Sequence, residues 1–168
     1  AFRTGMPAIT RIVTMSGDAI NKPSNFEVRT GMPIGEVIEA AGGFKSEPEK
    51  VIIGGPMMGT AQFNLDVPVI KTTSAILALT KAETIYDEDT ACIRCGKCVE
   101  CCPMGLMPLY INKFILEGNI EKAEKYNVMD CIECGLCSYL CPGMRNPLNN
   151  IRVTKQQILE QRRKNNGK

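Results

Sequence analysis

The 168-residue sequence predicts an α+β chain in two parts: a small mixed sheet covered by one helix, then a helical, cysteine-rich module. All nine cysteines lie at or beyond position 92. Ahead of them, short apolar strand patterns surround one amphipathic helix; after them, helical patterns surround two cysteine runs. Lys81 to Thr90 is charged and polar, as expected of a connector. The first domain is therefore expected over residues 1–85 and the second over 86–168, with the boundary near Tyr86.

In the first part, Ile9 to Met15 is β-rich and leads into turn material at Ser16-Gly17-Asp18 and Asn21 to Asn25. Phe26 to Arg29 alternates as a half-buried strand. A helix is expected from Pro33 to Ala41. Pro33 suits the first helical position, Ile34, Val37, Ile38 and Ala41 recur on one face, and Gly42-Gly43 supplies a left-handed stop. Val51 to Ile53 is a short strand ended by Gly54-Gly55-Pro56, and Val67 to Lys71 and Ala75 to Thr80 are two further strand candidates. This order fits a small β-grasp-like unit, one helix lying on a mixed sheet.

In the second part, eight cysteines form two copies of one pattern, Cys92-x2-Cys95-x2-Cys98-x3-Cys102-Pro103 and Cys131-x2-Cys134-x2-Cys137-x3-Cys141-Pro142. This spacing is that of a protein holding two [4Fe-4S] clusters, in which the fourth cysteine of each run binds the other cluster. One cluster is thus expected on Cys92, Cys95, Cys98 and Cys141, the other on Cys131, Cys134, Cys137 and Cys102. Gly96 and Gly135 let each loop curl tightly, and the prolines fix φ after the last ligand. Structural zinc uses paired C-x2-C sites and does not call for the third cysteine or the repeated proline. A disulfide framework suits small secreted chains, and no signal peptide is evident. The ninth cysteine, Cys101, is expected to be a small buried hydrophobe.

The 28 residues between Cys102 and Cys131 carry one helix through Leu109 to Leu116, stopped at Gly118-Asn119. A second helix covers Ile120 to Tyr126 with Asn119 as its cap. This insert resembles the α-helical ferredoxin module of multisubunit redox enzymes. A last helix from Pro147 carries Leu148, Ile151, Ile158 and Leu159 as its apolar face. It is expected to pack on the cluster module.

Several classes of function are excluded. The chain has no histidine, which removes Rieske ligation and histidine acid–base catalysis. The formal charge of +2 falls to about −2 once eight thiolates and two oxidised cores are counted, so no nucleic-acid footprint remains. Arg162-Arg163-Lys164 reads as a solvated tail. No apolar run reaches the roughly 20 residues of a membrane span. Gly54-Gly55-Pro56-Met57-Met58-Gly59 lacks the lysine of a phosphate loop and is expected to be a strand-ending turn packed under its two methionines. The repeated Thr-Gly-Met-Pro at Thr4–Pro7 and Thr30–Pro33 has unlike flanks and is taken as chance.

Val13 to Ala19, Gly54 to Gly59, Lys71-Thr72-Thr73, Cys92 to Cys98 and Cys102 to Pro108 together resemble one family, the C subunit of the Rnf-type ion-translocating ferredoxin:NAD oxidoreductase complex. The likeness runs from about residue 8 to residue 142. It implies that the first part is a soluble-ligand-binding β-grasp (SLBB) domain, related to one in the NADH-binding subunit of respiratory complex I. It further implies a C-terminal fragment of a peripheral subunit on the cytoplasmic face of a bacterial inner membrane. Its partners would be the other subunits of the complex and a ferredoxin-type donor or acceptor. FMN and NAD(H) are implied only for a domain upstream, so the fragment alone would not act on NADH. The expected role is an electron relay between the ferredoxin-type partner and that flavin site. Cobalamin reductases of bacterial microcompartments share the combination and form the rival reading; a β-grasp docking module with purely structural clusters is another. Cys101 and Gly143-Met144-Arg145-Asn146 depart from the common form of the family.

Overall fold

The structure, a computed structural model, describes residues 2, 4–84 and 90–166. Backbone contacts divide the chain into two compact units, Ala1–Tyr86 and Asp87–Lys168. The expected boundary at Tyr86 falls within residues 85–89, outside the described residues.

The first unit holds a five-stranded mixed sheet. Its elements are β1 (Thr10–Ser16), β2 (Ser24–Arg29), α1 (Ile34–Ala40), β3 (Lys50–Ile53), β4 (Thr60–Gln62) and β5 (Ala75–Leu79). The strand order is β2-β1-β5-β3-β4. Only β1 and β5 run parallel; the other pairs are antiparallel. Alternation places Val13 and Met15 of β1 and Ile76 and Ala78 of β5 in one core with Ile34, Val37 and Ile38 of α1. Burying these aliphatic side chains is the main source of the unit's stability, each of those larger than alanine contributing about 1.5–3 kcal/mol against the entropy of ordering the chain. Gly17 (φ 113°) sits where a Cβ would lie 2.0 Å from the Ala78 carbonyl oxygen, so only glycine lets the end of β1 approach β5 this closely. Asp18 then secures the corner by accepting from the Thr80 N–H at 2.8 Å and from the Thr80 hydroxyl.

Three expectations for this unit are corrected and one strand is added. Pro33 lies just before α1 rather than in its first turn; its ψ of 141° is extended, and it bridges Pro68. Val67 to Lys71 forms no strand. Pro68 has no N–H to give a ladder, so the segment runs beside the entry to α1, with the Val69 N–H bonding Met32 O at 2.8 Å and Ile34 N–H bonding Val67 O at 2.9 Å. Strand β4 adds an edge that the sequence pattern does not reveal, three residues being too short to show a period. Met58 is exposed rather than packed, and the Gly54–Gly59 turn is closed by the Gly59 N–H bonding Gly55 O at 2.7 Å. The segment expected as a connector begins with a single 3-10 turn at Lys81–Glu83.

The second unit contains α2 (Lys97–Glu100), α3 (Pro108–Leu116), α4 (Ile120–Lys125), α5 (Leu136–Tyr139) and α6 (Pro147–Asn166). Pro108 occupies the first turn of α3, where its missing N–H costs nothing. Asn119 caps α4 as expected, its side chain accepting the Lys122 N–H at 3.0 Å. The core joins Leu106, Ile111, Ala123, Val128, Ile151 and Ile158. On α6 the buried face is Leu148, Ile151, Thr154 and Ile158, whereas Leu159 is 43% exposed. The expected face is therefore corrected by one residue: Leu148, Ile151, Thr154 and Ile158 span about 120° of the helix, and Leu159 lies outside that arc, about 100° round from Ile158. Among the described residues no helix is long and apolar enough to cross a membrane.

Candidate metal centres

The two cysteine loops are backbone twins. Arg94 (φ 55°) and Glu133 (φ 58°) occupy the same left-handed position in each run. Gly96 and Gly135 follow with φ of 83° and 85°, each capping a four-residue helix, α2 or α5. Glycine is favoured there because the left-handed turn costs most other residues roughly 1–2 kcal/mol. Each curl thus presents three sulfurs from one tight stretch of backbone.

The fourth sulfur arrives from the opposite run. One hollow is lined by Cys92, Cys95, Cys98 and Cys141 together with Ile93, Arg94, Leu109 and Pro142. A second is lined by Cys102, Cys131, Cys134 and Cys137 together with Leu106, Ile111, Leu136, Leu148 and Ile151. Local bonds explain the exchange at the first hollow. Two residues before Cys92, Thr90 donates its N–H to Gly143 O at 3.1 Å, and Arg145 Nη1 donates to Thr90 O at 3.0 Å. A Cβ on Gly143 would stand 2.7 Å from the Thr90 hydroxyl. The unusual Gly143–Asn146 segment therefore holds the Cys141 turn against the start of the Cys92 run. At the second hollow, Cys102 and Cys131 both pack against the Ile111–Ile151 core.

The hollows differ in solvation. Cys92 and Cys95 are exposed, whereas Cys137 is buried and the other ligand candidates are half-buried. Burial pushes the Cys137 thiol up from 9.0 to about 11 and raises Cys98 and Cys131 in the same sense. Unliganded, these groups are protonated thiols at neutral pH; a bound metal deprotonates a coordinating thiol outright. Among the described residues no three Cys, Asp or Glu side chains converge as they would on a single ion; the sulfurs stand around the two hollows instead. Four thiols from two loops, apolar walls and a main-chain N–H aimed at a sulfur (Glu133 N to Cys131 Sγ, 3.4 Å) fit an iron–sulfur core. Cys101 lines neither hollow; it is half-buried rather than buried, with its thiol 3.6 Å from Cys98 O.

Helix α6 supplies residues that the motif does not reveal. Glu133 Oε1 accepts from Lys155 Nζ at 2.8 Å and Glu133 Oε2 from Arg152 Nε at 3.1 Å. Lys155 Nζ also donates to the Cys131 carbonyl at 2.6 Å. The Lys155 bond, more than the contact with Arg152, holds the Glu133 carboxyl below its ordinary 4.5. Nothing in the local sequence signals this pairing, because Lys155 lies 22 residues beyond Glu133 on another element.

Two family models match the chain. The family model of the SLBB domain matches residues 12–61, and that of the 4Fe-4S dicluster domain matches residues 84–142. The chain is 51% identical over 163 residues to the C subunit of the Na(+)-translocating ferredoxin:NAD(+) oxidoreductase complex of Acetobacterium woodii, covering 97% of this chain and 37% of that protein. Over the part it spans, the chain is homologous to the C subunits of ion-translocating oxidoreductase complexes. The corresponding protein of Rhodobacter capsulatus is 48% identical over 129 residues, covering 77% of this chain and 25% of the relative. That of Methanosarcina acetivorans is 44% identical over 162 residues, covering 96% and 36%. The chain thus spans well under half the length of these relatives, and the dicluster match takes in all eight paired cysteines.

Proposed function

We propose that this chain is an electron-relay segment of a membrane-associated redox complex, carrying two [4Fe-4S] clusters. The observation that carries the reading is the sorting of eight cysteines into two hollows, each built from three sulfurs of one run and the fourth of the other. Cys92, Cys95, Cys98 and Cys141 would hold one cluster, and Cys131, Cys134, Cys137 and Cys102 the other. Each cluster, when bound, takes up and gives back one electron at a potential tuned by charge, hydrogen bonds and exposure. The chain's own part is structural and electrostatic. The glycine curls bring three thiolates to each site, and the Thr90–Gly143 and Ile111–Ile151 contacts fix the fourth. Aliphatic walls keep water from the second site, while the first opens to solvent at Cys92 and Cys95, where exchange with a partner is easiest.

By the names of its relatives, the electrons would pass between a ferredoxin and NAD(+), with other subunits of an ion-translocating complex as neighbours; the family resemblance would add a flavin site beyond these residues. The SLBB part, over residues 1–85, would serve attachment within that complex on the cytoplasmic side of the membrane.

The test is iron and acid-labile sulfide per chain after anaerobic purification, with EPR of the reduced sample. About eight of each per chain, and reversible reduction, are expected. Cys98→Ser and Cys141→Ser should remove the same EPR signal and Cys102→Ser the other. Zinc in place of iron, or clusters that never change oxidation state, would reject the relay.

A further inference from the structure

The twin loops differ at one structurally decisive place. At the position that carries Arg94 in the first loop, the second carries Glu133, in the same left-handed conformation. Arg94 lines its own hollow. Glu133 instead reaches α6, where Lys155 and Arg152 grip its two oxygens at 2.8 and 3.1 Å. Lys155 adds a bond to the carbonyl of Cys131, and the Glu133 N–H rests on the sulfur of the same cysteine. Lys155 is well shielded, its side chain only 16% exposed, so its charge is poorly screened. Carboxylate, ammonium and guanidinium together leave one net positive charge against the second loop.

We propose that Lys155 and Glu133 are positioning residues that set the reduction potential of the second site independently of the first. This rests on the two-cluster reading above. Reduction adds one electron, hence one negative charge, to the thiolate-bound core. A cation fixed beside the loop lowers the cost of that charge, and an anion raises it. The latch also holds the Glu133 N–H on the Cys131 sulfur, a second influence in the same direction. Lys155 therefore raises the potential of the Cys131 site and Glu133 tempers it. Arg94, which lines the first hollow but is exposed, acts on the first site in the same sense and more weakly.

The experiment is a redox titration of the anaerobically purified chain, poised with dithionite and mediators and read by EPR. Two waves are expected in the wild type. Lys155→Met lowers one wave by about tenfold in the reduction equilibrium, or about 59 mV for one electron. Glu133→Gln raises that same wave, Lys155→Arg leaves it in place, and Arg94→Gln lowers the other. Opposite signs for Lys155→Met and Glu133→Gln are the decisive result, since simple loosening of the loop would move both alike. Shifts of the same sign, or equal movement of both waves in either variant, overturn the proposal. If Lys155→Met loses its cluster, Glu133→Gln decides alone: a wave that falls or stays put refutes the assignment. A chain without iron and sulfide sinks the two-cluster reading and this inference with it. Full iron with potentials indifferent to these residues sinks this inference only.

Discussion

Neighbouring residues on α6 give the sharpest test of how the second unit is packed. Ile158 is 2% exposed and belongs to the core with Ile111 and Ile151, whereas Leu159 is 43% exposed. Ile158→Ala deletes three carbon groups from a closed site. At about 0.8 kcal/mol per buried group the transfer loss is about 2.4 kcal/mol. The cavity left behind brings the expected cost to about 3 kcal/mol, inside the range of about 2–5 for such truncations. Leu159→Ala removes the same number of carbons from a partly solvated site and should cost less than about 1 kcal/mol. Anaerobic urea unfolding followed by far-UV circular dichroism measures both. With a slope of about 1–2 kcal/mol per molar, Ile158→Ala should lower the midpoint by about 1.5–3 M and Leu159→Ala by less than about 0.5–1 M. Equal losses, or a larger loss at Leu159, would show that the buried face of α6 has been placed one residue wrong.

Two further outcomes concern the first unit. Gly17→Ala would drive a Cβ to 2.0 Å from the backbone oxygen of Ala78, a contact no rotamer change relieves, so at least about 3 kcal/mol should be lost in thermal unfolding. Gly43→Ala, also at positive φ but with open space around it, should cost only about 1–2 kcal/mol; similar losses at the two sites would refute the close approach of β1 and β5. The Asp18 carboxyl is held below its ordinary 3.8 by its bonds from Thr80. A group whose folded value is depressed stabilises fully above its unfolded value and loses that contribution as pH falls through the folded one. Asp18→Asn should therefore be less stable than the wild type at neutral pH, with the gap closing below about pH 4; a gap constant down to pH 2 would show that the Thr80 bonds do not favour the ionised form.

The parts of the chain that can be read directly are those in which one short stretch contains its own physics. The cysteine runs fix three sulfurs by spacing alone, and Asn119 and Gly42-Gly43 announce the ends of helices through local backbone chemistry. Ile34, Val37 and Ile38 mark the buried face of α1 by period. What stays hidden depends on partners far along the chain. Val67 to Lys71 has strand composition, yet Pro68 breaks the ladder and the segment serves α1 instead. Leu159 looks as apolar as Ile158, and only the placement of Thr154 within the core fixes which of the two faces inward. Glu133 resembles any exposed acid until α6 brings Lys155 and Arg152 to it. The Gly143–Asn146 segment looks like an irregularity; its use becomes visible only when Thr90 is found bonded to it.

The sheet order has a temporal side. β1 can pair with β2 as soon as the intervening turn is made, but its other edge waits for β5, about 60 residues later, or roughly 3–12 s of translation at ordinary ribosomal speed. During that interval the nascent hairpin shows an unprotected row of amide and carbonyl groups beside an uncovered aliphatic surface. A messenger with slow codons ahead of Ala75 would lengthen the exposure, and holdase chaperones would find their longest window on this hairpin.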